Sequence, residues 1–233
     1  MTTISNRLQA VTATLRAAEI ANGRISGSVT LVAVSKTHPP EALREACFAG
    51  QRAFGESYVQ EALEKISALR DLSPEWHFIG PVQSNKTRPV AEHFAWVHSV
   101  DRLKIAQRLS DARPENLPPL NICIEVNVSG EASKGGVVPH EVKALADAIA
   151  PLPRLKLRGL MTIPAPTKEV ALQHQQFRML REQLAMLNAA GYALDTLSMG
   201  MSEDFSIAVA EGATMVRIGT AIFGPRATRG FKR

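Results

Sequence analysis

The sequence predicts an α/β fold: a single (β/α)8 TIM barrel with an extra N-terminal helix, residues 1–233 forming one domain. Three observations carry this. Short apolar runs alternate with helical stretches from residue 29 onward. The runs are near-continuous rather than apolar at every second position, as expected of strands buried on both faces in a parallel sheet. Eight such units occupy roughly 200 residues, the span of a closed barrel. An open doubly wound sheet is the rival. It loses support because no GxGxxG follows the first run and no GxxxxGK[ST] occurs anywhere.

The elements follow in order. Residues 1–22 read as an amphipathic helix with Ile4, Leu8, Val11, Leu15 and Ala18 on one stripe, and Glu19 suits a helix packed on a domain better than an acid-poor transit peptide. Val29–Ser35 (VTLVAVS) is the first strand, and Pro39-Pro40 opens a helix through Ala49 that Gly50 stops. Ala53–Gly55 is the second strand, before a helix over Ser57–Leu69. Trp76–Ile79 is the third, with a helix near Asn85–His93. Trp96–Val100 is the fourth, and Asp101 is placed to cap a helix reaching Ala112. Leu120–Val128 is the fifth, followed by a helix from Pro139 to Ala150. Lys156–Ile163 holds the sixth, then a long helix over Glu169–Ala190 that Gly191 ends. Leu194–Ser198 is the seventh, with Ser202 as the expected cap of a helix to Glu211, and Thr214–Ile218 is the eighth.

Composition narrows the function classes. Hydrophobic residues make up 45% and charged residues 21%, which excludes a disordered chain, a collagen repeat and a disulfide-dense miniprotein. The 27 basic against 22 acidic residues give +5, a small excess that a solvated surface accounts for. Nucleic-acid binding would rest on that excess alone, since there is no RNA-recognition aromatic motif, zinc-finger spacing or concentrated basic helix. The basic stretch Arg226–Arg233 reads as a mobile end. Cys47 and Cys123 fit no CxxC or metal spacing and read as buried, reduced thiols suited to a cytoplasmic protein. The histidines at 38, 77, 93, 98, 140 and 174 show no HxxxH or HxH grouping, so no metal site is expected. No apolar run reaches membrane-span length, and no signal-peptide pattern opens the chain. The expectation is a monomer.

In a barrel of this kind the functional residues sit where the strands end. The first strand ends in Ser35-Lys36-Thr37, and a lysine there faces either solvent or a polar mouth where its amine can form a Schiff base. The seventh is followed by Ser198-Met199-Gly200-Met201-Ser202, and the eighth runs into Arg217-Ile218-Gly219-Thr220. The loops after strands seven and eight commonly bind phosphate at a helix N-terminus. With Lys36 they suggest an aldehyde-bearing phosphate ligand, pyridoxal 5′-phosphate. Arg217 could meet the ring nitrogen of that cofactor, and because a guanidinium never accepts a proton it would leave the nitrogen unprotonated. The bland alternative pairs Arg217 with Glu56 or Asp204.

Val32–Thr37 (VAVSKT), Phe54-Gly55-Glu56, Trp76–Gly80 (WHFIG), Gln83–Lys86 (QSNK), Arg158–Met161 (RGLM), Ser198–Ser202 (SMGMS) and Arg217–Gly224 (RIGTAIFG) resemble, in order and spacing, the pyridoxal phosphate homeostasis protein family. That family is similar to the N-terminal barrel of alanine racemase, the fold-type III class. The resemblance implies that Lys36 carries the cofactor covalently as an internal aldimine. It implies that Ser202, Gly219 and Thr220 hold the phosphate, that Arg217 faces the ring nitrogen, and that His77, Asn85, Ser198 and Met201 line the pocket. Two departures stand out: Ser57 where the family usually has Asn, which puts a contact from that position in doubt, and His38 where many relatives have lysine.

Two functions compete. One is a carrier that buffers pyridoxal phosphate or hands it to apo enzymes, without turnover. The other is an amino-acid racemase, which needs a base on each face of a planar carbanion. Lys36 can serve one face. The second base in the racemases that the family resembles is a tyrosine from another domain, which is not expected in this chain, and only Tyr58 and Tyr192 are present. The carrier is the preferred reading. Lys134, between glycines in the loop after the fifth strand, is a candidate transient acceptor in transfer or a plain exposed lysine.

Overall fold

The computed structural model describes residues 3–131 and 134–225, so the basic tail 226–233 lies outside the described residues. Eight parallel strands close into a barrel in sequence order. They are β1 (Thr30–Val34), β2 (Ala53–Glu56), β3 (Glu75–Phe78), β4 (Trp96–Val100), β5 (Leu120–Glu125), β6 (Leu155–Met161), β7 (Thr196–Ser198) and β8 (Met215–Ile218). The helices are α1 (Ile4–Ala21), α2 (Pro40–Phe48), α3 (Val59–Ala68), α4 (Thr87–His93), α5 (Leu103–Ala112), α6 (Val142–Ile149), α7 (Val170–Ala189), α8 (Phe205–Ala210) and α9 (Thr220–Phe223). Closure comes from β1 pairing with both β2 and β8, Ala33 standing opposite Phe54 on one side and Ile218 on the other. A closed sheet leaves no strand edge to protect.

Alternation along each strand divides the side chains into two sets. Leu31, Ala33, Phe54, Phe78, Val97, Ile122, Ile124, Leu160, Leu197 and Val216 point outward and form one continuous core with the helices. The inward set is smaller and mixed: Val32, Ala53, Trp96, Cys123, Met161 and Met215 make a separate apolar cluster inside the barrel. Buried His77, His98, Ser198 and Arg217 come from strands whose outward neighbours belong to the outer core, so they share the interior with that cluster.

The N-terminal helix packs on the barrel as expected, with Ile4, Leu8, Val11 and Leu15 buried. The position beyond Leu15 is a surprise. Ala18 is only partly buried, whereas Glu19 is fully buried and accepts hydrogen bonds from the Gly27 and Val29 amides and from Arg16. Those donors hold its carboxyl below the ordinary range against the opposing effect of burial.

Two expected helix caps are corrected. Ser202 lies in a turn, and the residue preceding α8 is Asp204, whose Oδ1 accepts from the Met201 amide. Asp101 does not cap α5; its carboxylate is engaged by Arg102. In the first place Asp204 takes the amide of the turn, and in the second the neighbouring guanidinium takes the carboxylate that the spacing assigns to the helix.

Candidate functional site

A cavity of about 520 Å³ opens at the carboxyl ends of the strands. Lys36, Met201, Ser202, Arg217, Gly219 and Thr220 all line it, six of the nine residues singled out from the sequence. Ser198 does not line the cavity but lies just beneath it, accepting a 2.7 Å hydrogen bond from Arg217 Nη1. Two expected lining residues lie elsewhere. Asn85 is exposed in the 3-10 turn after β3 and is not part of the cavity wall. His77 is fully buried inside the barrel, its ring nitrogens engaged by His98 and Glu75, and it is not part of the cavity wall.

The segment carrying Lys36 is clamped from below. Ser35 donates through Oγ to Glu56 at 2.6 Å, and its carbonyl accepts from Lys65 Nζ at 2.7 Å. Lys65, buried, also pairs with Glu56 and with Glu61. Glu61 in turn accepts from the Thr37 amide, and Thr37 sits at φ 69°, a left-handed conformation costly for a β-branched residue. Burial pushes the Glu56 carboxyl up from its ordinary value, with Lys65 and Ser35 working against that rise. The fixed backbone presents Lys36 with its Nζ 3.4 Å from Ser57 Oγ. The position where Ser replaces the family's usual Asn therefore does reach the lysine. His38 also lines the cavity and stacks on Phe223, centroids 5.1 Å apart.

The turns after β7 and β8, beside β1, are built from tight backbone. Gly200 has φ +93°, and a Cβ there would stand 2.6 Å from the Ala208 Cβ. At Gly219 a Cβ would stand 3.0 Å from the Val34 carbonyl, so any side chain there would require that carbonyl to shift by a few tenths of an ångström. The cradle fits a phosphate, since these turns leave room for an anion beside the Ser202 and Thr220 hydroxyls.

Arg217 supplies the buried cation. Its Nη2 donates to the Thr162 carbonyl at 2.8 Å, so neither Glu56 nor Asp204 is its hydrogen-bond partner. Burial lowers its pKa to about 10, with Glu125 and Asp204 acting electrostatically in the other direction, and it stays cationic at neutral pH. Glu125, at the end of β5, was not among the residues picked from the sequence. Its carboxyl is raised to about 7 by burial, with Asp101 adding to the rise and Arg217 opposing it. His98 was also missed. An acid ending an apolar strand, and a histidine two residues past an inward Trp96, were the available signals.

A barrel with a lysine ending β1, a buried arginine in β8 and glycine turns after β7 and β8 defines a class. The family model for the alanine racemase N-terminal domain matches residues 8–227. The chain is 62% identical over 226 residues to the pyridoxal phosphate homeostasis protein of Pseudomonas aeruginosa, covering 97% of each chain. It is 52% identical to the Escherichia coli K12 protein of the same name over 229 residues, covering 97% of this chain and 98% of that one. PipY of Synechococcus elongatus, solved with PLP bound, superposes with a TM-score of 0.83 at 38% identity, covering 95% of this chain and 100% of that one. The chain belongs to the pyridoxal phosphate homeostasis protein family.

Proposed function

We propose that this protein binds pyridoxal 5′-phosphate in the cavity at the strand ends, holds it on Lys36 as a Schiff base, and buffers or delivers it without turning over a substrate. The observation that carries the reading is that one cavity gathers Lys36, Arg217, Ser202 and the Gly219-Thr220 turn. Bound there, the cofactor would supply an aldehyde that an amine captures reversibly with loss of water. The names of the relatives and the bound PLP of PipY support the same assignment.

Each residue has a separable role in this proposal. Lys36 is the nucleophile, kept in position by the Ser35–Glu56–Lys65–Glu61 clamp. Ser202, Gly219 and Thr220 receive the phosphate. Arg217, a permanent donor, faces the ring nitrogen, keeps it unprotonated and so leaves the ring a weak electron sink. That arrangement suits retention over carbanion chemistry. Neither tyrosine supplies a second base in the cavity: Tyr58 and Tyr192 both lie outside its wall, and Tyr192 hydrogen-bonds Asp147 at 2.6 Å. No helix among the described residues is long and apolar enough to cross a membrane. Both cysteines are free and buried, the Cys123 thiol pushed up to about 12 by burial, which supports placing the protein in the reducing cytoplasm.

The test is an absorption spectrum of the purified protein with pyridoxal phosphate, followed by borohydride reduction and mass mapping. The expected result is a band near 420 nm, in round terms, lost in Lys36→Ala, with the reduced adduct on Lys36. Labelling of another side chain overturns the site. Sustained formation of D-alanine from L-alanine by the loaded protein overturns the carrier reading in favour of a racemase.

A further inference from the structure

Beneath the cavity a chain of hydrogen bonds runs down the inside of the barrel. Arg217 Nη1 reaches Ser198 Oγ at 2.7 Å, and Ser198 Oγ is 2.8 Å from His98 Nδ1. His98 Nε2 is 2.9 Å from His77 Nδ1, and His77 Nε2 is 2.8 Å from Glu75 Oε1. His77, His98 and Ser198 have no exposed surface, while the Glu75 side chain is half exposed at the start of β3. The chain therefore joins the cavity wall to solvent at the opposite rim.

Donor chemistry gives this chain a direction. The carboxylate end sets it, because a serine hydroxyl has two acceptor lone pairs and accepting from Arg217 leaves its own hydrogen uncommitted. An ionised Glu75 only accepts, so His77 carries its proton on Nε2 and donates to it. Neutral His77 then accepts at Nδ1 from the His98 Nε2–H, and His98 Nδ1 accepts from the Ser198 hydroxyl. The reverse ladder points a lone pair of His77 at the carboxylate, so it requires an extra proton on Glu75. Burial lowers the pKa of both histidines, His98 further than His77, which keeps both neutral, and the hydrogen bond from His77 holds Glu75 ionised. Trp96, stacked on His77 with rings 6° from parallel, fixes the plane of that ring, and the Arg158 guanidinium lies over Trp96.

We propose that Glu75, His77, His98 and Ser198 are positioning residues for Arg217, a one-way hydrogen-bond relay that aims the guanidinium at the cavity and ties its charge to a carboxylate on the far rim. Two of the five guanidinium N–H groups are held by Ser198 and Thr162, and the orientation so fixed decides which donor meets a ligand. The consequence for pyridoxal phosphate rests on the function proposed above; the relay itself does not.

The experiment uses the full chain, first free of cofactor. Side-chain nitrogen NMR should find His77 and His98 neutral with protonated Nε2 at pH 7 to 8. The Arg217 Nη1 hydrogen held by Ser198 should exchange slowly and become about threefold to tenfold faster in Glu75→Gln, the effect of weakening one link in a buried chain. Circular dichroism confirms that this conservative, rim-located variant is folded. Pyridoxal phosphate titration should then show its Kd raised by a similar factor. An Nδ1–H tautomer or an imidazolium in the wild type, or Arg217 exchange in Glu75→Gln within twofold of wild type, overturns the relay. Correct tautomers and altered exchange, with no cofactor binding in the wild type, would uphold the relay and refute the function instead.

Discussion

Glu125 offers the most quantitative test of the electrostatics at the barrel mouth. Its carboxylate lies under the strap of residues 134–137, and a Cβ on Gly135 would be 3.1 Å from its Oε1. The strap is pinned by the Val137 amide donating to the Glu125 carbonyl and the Asn127 amide donating to that of Val137. Burial raises the carboxyl from 4.5 to about 7. A group whose folded pKa is raised favours the fold in its protonated form. That contribution is complete below about 4.5, is lost as pH rises, and is gone above about 7. At 1.36 kcal/mol per pH unit the full effect approaches about 3 kcal/mol. Partial solvent screening makes about 1–3 kcal/mol the working range. Glu125→Gln removes the ionisation and nearly preserves the shape. Urea unfolding of both proteins from pH 5 to pH 8 should show the variant gaining about 1–3 kcal/mol on the wild type across that window, with any constant cost of the amide cancelling in the comparison. A difference that is flat with pH, or a variant that falls behind as pH rises, would refute the reasoning, because Glu125 would then be acting as an ionised partner of Arg217.

Three further outcomes follow from the site. Lys65→Met leaves the buried Glu56 without its cation and the Ser35 carbonyl without its donor, so it should destabilise the fold by about 3–5 kcal/mol. Adding Glu56→Leu should recover most of that loss in thermal unfolding, and a single variant costing under about 1 kcal/mol would contradict the clamp. Gly219→Ala must push its new methyl group against the Val34 carbonyl, and pyridoxal phosphate affinity should fall about tenfold, read by fluorescence titration, while the denaturation midpoint moves little. Lys134 does not line the cavity, and Lys134→Ala separates its two readings: slower release of bound cofactor to an apo enzyme in a coupled assay marks a transient acceptor, and an unchanged rate marks a plain loop lysine.

The sequence shows the barrel plainly because its evidence is local. Each strand is a short apolar run between turn residues, and the expected strand ends lie within a few residues of the observed ones. Depth inside the barrel is different. Alternation shows that His77 points inward, but what its ring meets there is set by His98 on the next strand and by Glu75, and the first of these contacts no single segment encodes. Those bonds hold the ring inside the barrel, and it is not part of the cavity wall. Asn85 fails for a related reason: a motif fixes neighbours in the chain, while the 3-10 turn decides which way each side chain faces. Lys65 and Glu61 were invisible because a lysine and an acid four residues apart on a helix normally read as a solvated pair. Here the same spacing puts the ammonium into the interface between α3 and the ends of β1 and β2.

The placement of polar groups follows from how the barrel divides its hydrophobic burial. The continuous core lies between the sheet and the helices, where Leu43, Phe54, Phe78, Leu109, Ile122, Phe177 and Leu180 are all at or near zero exposure. That layer closes the fold without help from the barrel interior. The interior can then hold two histidines, a serine and an arginine in a connected chain, where each buried polar atom has a named partner. A connected chain of this kind carries a smaller desolvation cost than the same groups apart, because each link matches a donor with an acceptor. The six apolar residues that share the interior with it, Trp96 among them and stacked on His77, keep the surroundings of the links apolar. The larger apolar core and the buried polar chain thus occupy opposite faces of the same eight strands, and the alternation of side chains along a strand keeps them apart.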